Sequence, residues 1–328
     1  MKPLIRLAVV LLVALTARAY EPPAPSTEVE IARFDWHDSA RDRDVPAKVY
    51  FPKSGAGALP IVIFSHGLGG SREGYEYLGL HWAGCGYVSV HLQHQGSDEA
   101  LWKNAPEGEG MKALSRSVLD IRNSVNRPRD VSFAIDQLTA LNADAGSPLR
   151  ARLDLQRIAV AGHSYGGFTA MALAGQALGP RASTELADPR IKCAIEMSAP
   201  VPRATMRDRS YGSVSIPVFH MSGTKDDSPL GDTKAADRRI PYELTTNAET
   251  CLVIFNGGDH MIFSGRLAER EARASEDAKF QRLICAGTTA FLDAFLKGSP
   301  DAHGWLMRGG YGKLVGDEAV FEAKAPAK

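Results

Sequence analysis

The chain has 328 residues, 44% hydrophobic and 23% charged, which is the make-up of a folded globular protein and not of a disordered or collagen-like one. Lys plus Arg and Asp plus Glu number 38 each, so no basic field exists to hold a nucleic-acid backbone. The length suits one large domain or two small ones.

Residues 1–19 read MKPLIRLAVVLLVALTARA. Lys2 and Arg6 form a positive start, Leu7 to Leu15 an apolar run, and Ala17 and Ala19 a small-x-small cleavage site, the order of a secretory signal peptide. Nine apolar residues are too few to span a bilayer, so no stable membrane anchor is expected. Cleavage leaves a chain starting at Tyr20, with a formal net charge of −3, in a secreted or periplasmic location. Disulfides persist in such compartments. Of the four cysteines, Cys251 opens a late strand and Cys285 lies in a late helix, and these two are the expected disulfide pair; Cys85 and Cys193 are unassigned.

Residues 20–28 are Pro-rich and extended, 47–51 form a short strand, and 55–58 a turn. LPIVIFSHG (59–67) is a continuous apolar run suited to a buried parallel strand. A helix over 75–82 and a strand over 86–92 follow. Residues 95–127 are an excursion from the sheet, polar up to Gly110 with an amphipathic stretch near 112–122. The spacing of Val131, Ala134, Ile135 and Leu138 predicts a helix over 129–141. Next come a strand over 154–161, a helix over 169–178, strands over 191–198, 216–223 and 251–258, and a helix over 280–298 stopped by Gly298. The tail, 299–328, has no strong period. Strands alternating with helices predict an α/β fold with a mostly parallel central sheet and helices on both faces, as one domain over 20–328.

GHSYGG (162–167) sits between the strand ending at Ala161 and the next helix. Gly-x-Ser-x-Gly in that setting is the turn that lifts a serine out of the fold as a nucleophile, here Ser164. A serine needs a base, and the base an orienting carboxylate, in the order Ser, Asp or Glu, His, each after a later strand. GTKDD (223–227) offers Asp226, favoured over Asp227 by its distance from the glycine, and GGDHMIF (257–263) offers His260. Glu196 is a further candidate acid, or else the partner of an arginine. Backbone N–H groups to hold a developing oxyanion come from Tyr165 and from the glycine-rich loop 64–73. Among the other histidines, His66 and His163 read as supports of the site, His91 and His94 as rim or packing, and His220 as a core residue. His91-x-x-His94 lacks a clear third ligand for zinc, so no metal and no cofactor are expected.

SHGLGGSREGY (65–75), WAGCGYVSVHLQHQGSD (82–98), GHSYGG, GTKDDSP (223–229) and GGDHMIF together resemble α/β-hydrolases of the dienelactone-hydrolase-related group. The likeness is greatest to bacterial relatives of platelet-activating-factor acetylhydrolase, and more distant to cutinase-like polyester hydrolases. The resemblance spans about residues 45–297 and implies an α/β-hydrolase fold, with Leu68 and Tyr165 N–H as the oxyanion hole. Two departures matter. Dienelactone hydrolases use cysteine where this chain has Ser164, and the acetylhydrolases place their acid where this chain has Glu196-Met197-Ser198, so a phospholipid substrate is not inherited.

The resulting expectation is a secreted serine ester hydrolase acting through an acyl-enzyme on short or medium acyl or aromatic esters. Polyester or phospholipid-type hydrolysis, amide cleavage on the same residues, and a non-catalytic envelope binding protein are the alternatives. Trp102, in the excursion, is the expected substrate contact beside Leu68 and Tyr165.

Overall fold

The computed structural model describes residues 20–55, 57–179, 181, 183–265 and 274–327, so the expected signal peptide lies outside the described residues. Among these, nine strands make one sheet: β1 (Val29–Asp38), β2 (Arg43–Pro52), β3 (Leu59–Ser65), β4 (Val88–Leu92), β5 (Leu153–His163), β6 (Ile191–Met197), β7 (Val218–Lys225), β8 (Thr250–Asp259) and β9 (Ala319–Lys324). The spatial order is β1-β2-β4-β3-β5-β6-β7-β8-β9. The six strands from β3 to β8 run parallel; β2 at one edge and β9 at the other run antiparallel to them, and β1 pairs antiparallel with β2.

The helices in chain order are α1 (Glu76–Gly84), α2 (Ala100–Lys103), α3 (Gly110–Leu119), α4 (Ile121–Ala143), α5 (Tyr165–Leu173), α6 (Ala204–Ser210), α7 (Ile240–Leu244), α8 (Ala274–Phe295), α9 (Pro300–Met307) and α10 (Gly310–Val315). Alternate residues of each central strand point to opposite faces. Ile61 and Ile63 of β3 pack in a cluster with Val131, Ile135 and Leu138 of α4 and Met171 of α5. Val62 and Phe64 join the opposite cluster with Trp82 of α1 and Ile284 and Phe291 of α8. Both faces are therefore apolar, which is why these strands read as unbroken hydrophobic runs, and each fully buried aliphatic side chain stabilises by roughly 2 kcal/mol. This is the α/β-hydrolase fold, with helices on both faces of a mostly parallel sheet.

Several elements depart from the sequence reading. The tail is not irregular: Ser299 caps α9 by accepting from Ala302 N–H, Pro300 takes the first helical turn, and β9 pairs with β8 along its full length. The excursion is helical, and its last residues are the first turns of α4. That helix starts at Ile121, capped by Asp120, and carries Pro128 inside it. The expected Cys251–Cys285 disulfide is absent, and all four cysteines are free thiols. Cys251 is sealed within the sheet layer, whereas Cys285 opens on a groove with Pro25, Tyr77 and Leu80. Among the described residues, no helix is long and apolar enough to cross a membrane.

Candidate active site

Ser164 joins β5 to α5 with φ 57° and ψ −118°, a conformation a residue with a side chain rarely adopts. The turn closes only because its neighbours are glycines. A Cβ on Gly166 would overlap the carbonyl of Ser65, and one on Gly162 the carbonyl of Gly166. The strain is held by Ser164 N–H, which donates to Met197 O at 2.7 Å, and by the packed strands on either side.

The ends of β5, β7 and β8 meet at this serine. His260 Nε2 lies 2.9 Å from Ser164 Oγ, and His260 Nδ1 lies 2.7 Å from Asp226 Oδ1. Ser164 is half-buried, His260 is buried and Asp226 fully so. The close approach of β7 to β8 needs Gly223, whose Cβ would overlap Gly258 O. Asp226 Oδ2 accepts from Ser198 Oγ at 2.5 Å and Ser222 Oγ at 2.8 Å. Burial alone would raise its pKa. The bond from His260 and the charge of Arg238 more than offset that, and the carboxyl is held below its ordinary range.

The rival acids lie elsewhere. Asp227 is exposed and accepts from Lys234 Nζ and Ala235 N–H. Glu196 is buried, but it binds His220 Nδ1 at 2.8 Å and the Ala199 N–H instead of an arginine. Ser198, two residues on, directly follows the end of β6 and donates to Asp226.

A cavity of about 390 Å³ opens over Ser164, lined among others by Leu68, Tyr75, Val118, Phe168, Leu230 and Met261. Among the described lining residues none bears a permanent charge, and two, His163 and His260, are titratable imidazoles. Leu68 and Tyr165 both line it. Tyr165 is the first residue of α5, where the N–H has no partner within the helix. Its phenol meets Ser124 Oγ at 3.0 Å, and its ring lies 4.6 Å from the guanidinium of Arg127. Trp102 is not in the lining. It is 41% exposed, and its Nε1–H donates to Gly69 O at 2.8 Å, so it buttresses the glycine loop from outside. The excursion reaches the cavity through Val118 and Ser124.

His163 packs against His260, with ring centroids 4.8 Å apart. His66 binds Gly67 O and the N–H of His94. His91 and His94 do not converge: His91 bonds Gly74 O and Ser89, whereas His94 bonds Asp130 and Ser65. Among the described residues, no group of His, Cys, Asp and Glu is arranged to hold a metal ion.

Two buried arginines escaped the sequence reading. Arg127 donates to Ser97 and Thr169 hydroxyls and to His66 O, tying α4 to the loop after β3. Arg238 reaches Asp226 from the 3₁₀ turn Ala235–Arg239. Neither carries a sequence signal, since Arg127 stands beside Pro128 in a polar helix face and Arg238 is one of two adjacent arginines.

The platelet-activating factor acetylhydrolase of Canis lupus familiaris is 28% identical over 246 residues, 67% of this chain and 51% of that protein. Those of Cavia porcellus and Bos taurus are 27% and 23% identical, covering 47% and 62% of this chain and 38% and 48% of theirs. The chain thus spans about half or less of the length of these relatives. The family model for platelet-activating factor acetylhydrolase, isoform II, matches residues 40–124. The model described as PET hydrolase-like matches residues 111–274, half of the chain and the half in which Ser164, Asp226 and His260 stand: the chain belongs to the PET hydrolase-like family.

Proposed function

We propose that this protein is a serine carboxylic-ester hydrolase working through an acyl-enzyme on uncharged esters with short or medium acyl or aromatic groups. The observation that carries the reading is the hydrogen-bonded line Ser164–His260–Asp226 opening on a cavity whose described walls bear no permanent charge. In this mechanism His260 Nε2 takes the hydroxyl proton as Ser164 Oγ attacks the ester carbonyl. The oxyanion is received by Tyr165 and Leu68 N–H, Asp226 holds the imidazolium, and His260 returns the proton to the leaving alcohol. Water, deprotonated by the same nitrogen, then releases the acid. Export through residues 1–19 belongs to the same proposal.

A polymeric aromatic ester is the second reading. It is supported by the family assignment and by Leu119 and Ile121, 85% and 76% exposed, which follow the cavity residue Val118. The test is a serine-directed phosphonate followed by intact mass and peptide mapping. A single adduct at Ser164, absent from Ser164→Ala along with turnover of soluble p-nitrophenyl esters, is expected. Turnover retained in Ser164→Ala would overturn the mechanism. Release of soluble acid from a polyester film then decides between the two substrate classes.

A further inference from the structure

Arg238 is 3% exposed and spends every guanidinium nitrogen around the acid of the site. Nη1 donates to Ser198 O at 2.8 Å and Ala199 O at 2.6 Å, and Nε donates to Asp226 O at 3.2 Å. Nη2 donates to Asp226 Oδ1 at 3.2 Å and stands 3.4 Å from His260 Nδ1. The oxygen that receives the imidazole N–H is therefore shared with a fixed cation.

We propose that Arg238 is a positioning residue that pins the Asp226 carboxylate toward His260 and, by its charge, keeps the base free of a second proton as the medium becomes acidic. This rests on the ester-hydrolase reading above. A carboxylate alone beside an imidazole favours the doubly protonated ring, and a cation at the same oxygen opposes it.

Among the described residues, the other groups around His260 are engaged with partners of their own. His163 lies against the ring; burial and the neighbouring His260 hold its own pKa well below the ordinary value, so it stays neutral, and its Nε2–H donates to His260 O. Tyr75 stands behind His163 with its phenol on Nδ1. Asp259 accepts from Met261 N–H, and Asp227 pairs at the surface with Lys234. Ser164 and Ser198 are neutral hydroxyls.

The test compares Arg238→Lys, which keeps the charge and loses the fork, with Arg238→Gln, which loses the charge. Both are made in the full chain, and kcat/KM for a soluble p-nitrophenyl ester is followed against pH. The acid limb of Arg238→Gln is expected to move up by about one pH unit, while that of Arg238→Lys stays near wild type even where both lose plateau rate. Limbs that move together, or not at all, would overturn the proposal and leave Arg238 as scaffold. Should Arg238→Gln fail to fold, Arg238→Met fills the same channel without charge and carries the same comparison. Phosphonate labelling of wild type separates the two ideas. An unlabelled wild type sinks the ester-hydrolase reading itself, whereas a labelled one with unmoved limbs sinks only the role of Arg238.

Discussion

The phenol of Tyr75 donates to His163 Nδ1 at 2.8 Å, and the opposite nitrogen of that ring donates to the carbonyl of His260 at 2.8 Å. The same phenol accepts from Gly67 N–H at 3.3 Å. A single chain of hydrogen bonds thus joins the glycine loop after β3 to the backbone of the proposed base. Tyr75→Phe removes the donor to His163 and the acceptor for Gly67. The loss of about 1.4 kcal/mol in transition-state alignment corresponds to roughly tenfold in kcat with little change in KM. A change confined to KM would show that the ring only fills the cavity.

Asp226→Asn keeps the shape of the acid but offers an amide where His260 Nδ1–H needs an acceptor. Turnover is expected to fall by about three orders of magnitude or more. Asp227→Asn, at an exposed position tied only to Lys234 and Ala235, is expected to leave kcat within about twofold. Steady-state rates on the two purified variants, with thermal melts to show folding, make the comparison.

Trp102 and Val118 should divide stability of the loop from selectivity of the cavity. Trp102→Ala frees Gly69 O and is expected to lower kcat/KM by a similar factor for every ester in a panel of graded acyl length. Val118→Ala enlarges the wall itself and is expected to shift the ratio between long and short acyl chains by about tenfold. A Trp102→Ala variant that changed the ratio while Val118→Ala did not would reverse the assignment.

Acid should weaken this fold through its buried histidines. Burial brings the His91 pKa down to about 3 and the His94 pKa to about 4, and holds those of His66 and His163 well below the ordinary value. In the unfolded chain each titrates near 6.5, so between about pH 6.5 and pH 4 the unfolded state binds more protons and gains on the native one. From pH 6.5 to 5 the loss is about 1.6 kcal/mol for each of His91 and His94, and His66 and His163 act in the same direction. Urea denaturation at pH 7 and pH 5 should show a marked fall in midpoint; equal midpoints would mean that these rings accept protons within the fold.

How much of this was legible in the sequence depends on whether a residue's task is local. The buried strands β3 to β8 stand out because both faces of the sheet are covered, and Ser164 and His260 because each sits in a glycine-marked turn at a strand end. β1 and β9 lie at open edges and carry exposed residues such as Ile31 and Val320, so their runs lack the apolar signal. α4 begins earlier than the 129–141 period suggests because Asp120 caps it before Pro128 is reached. Cys251 and Cys285 looked pairable from their elements, but pairing depends on how closely two sulfurs approach, and these two stay free thiols within one apolar cluster. Arg127, Arg238 and Trp102 act on partners at least 12 residues away, and only the closed fold brings them there.

The described walls of the cavity carry no lysine, arginine, aspartate or glutamate, so they add no fixed charge of their own to the field that meets an approaching molecule. Encounter with a neutral ester is then governed by diffusion and shape, without the electrostatic steering that ionic strength screens. The bonds of His260 to Asp226 and to Ser164, at 2.7 and 2.9 Å, lie well inside a screening length and are little affected by salt. For a neutral ester, kcat/KM is therefore expected to change little between dilute buffer and high salt, which rates measured across an ionic-strength series check.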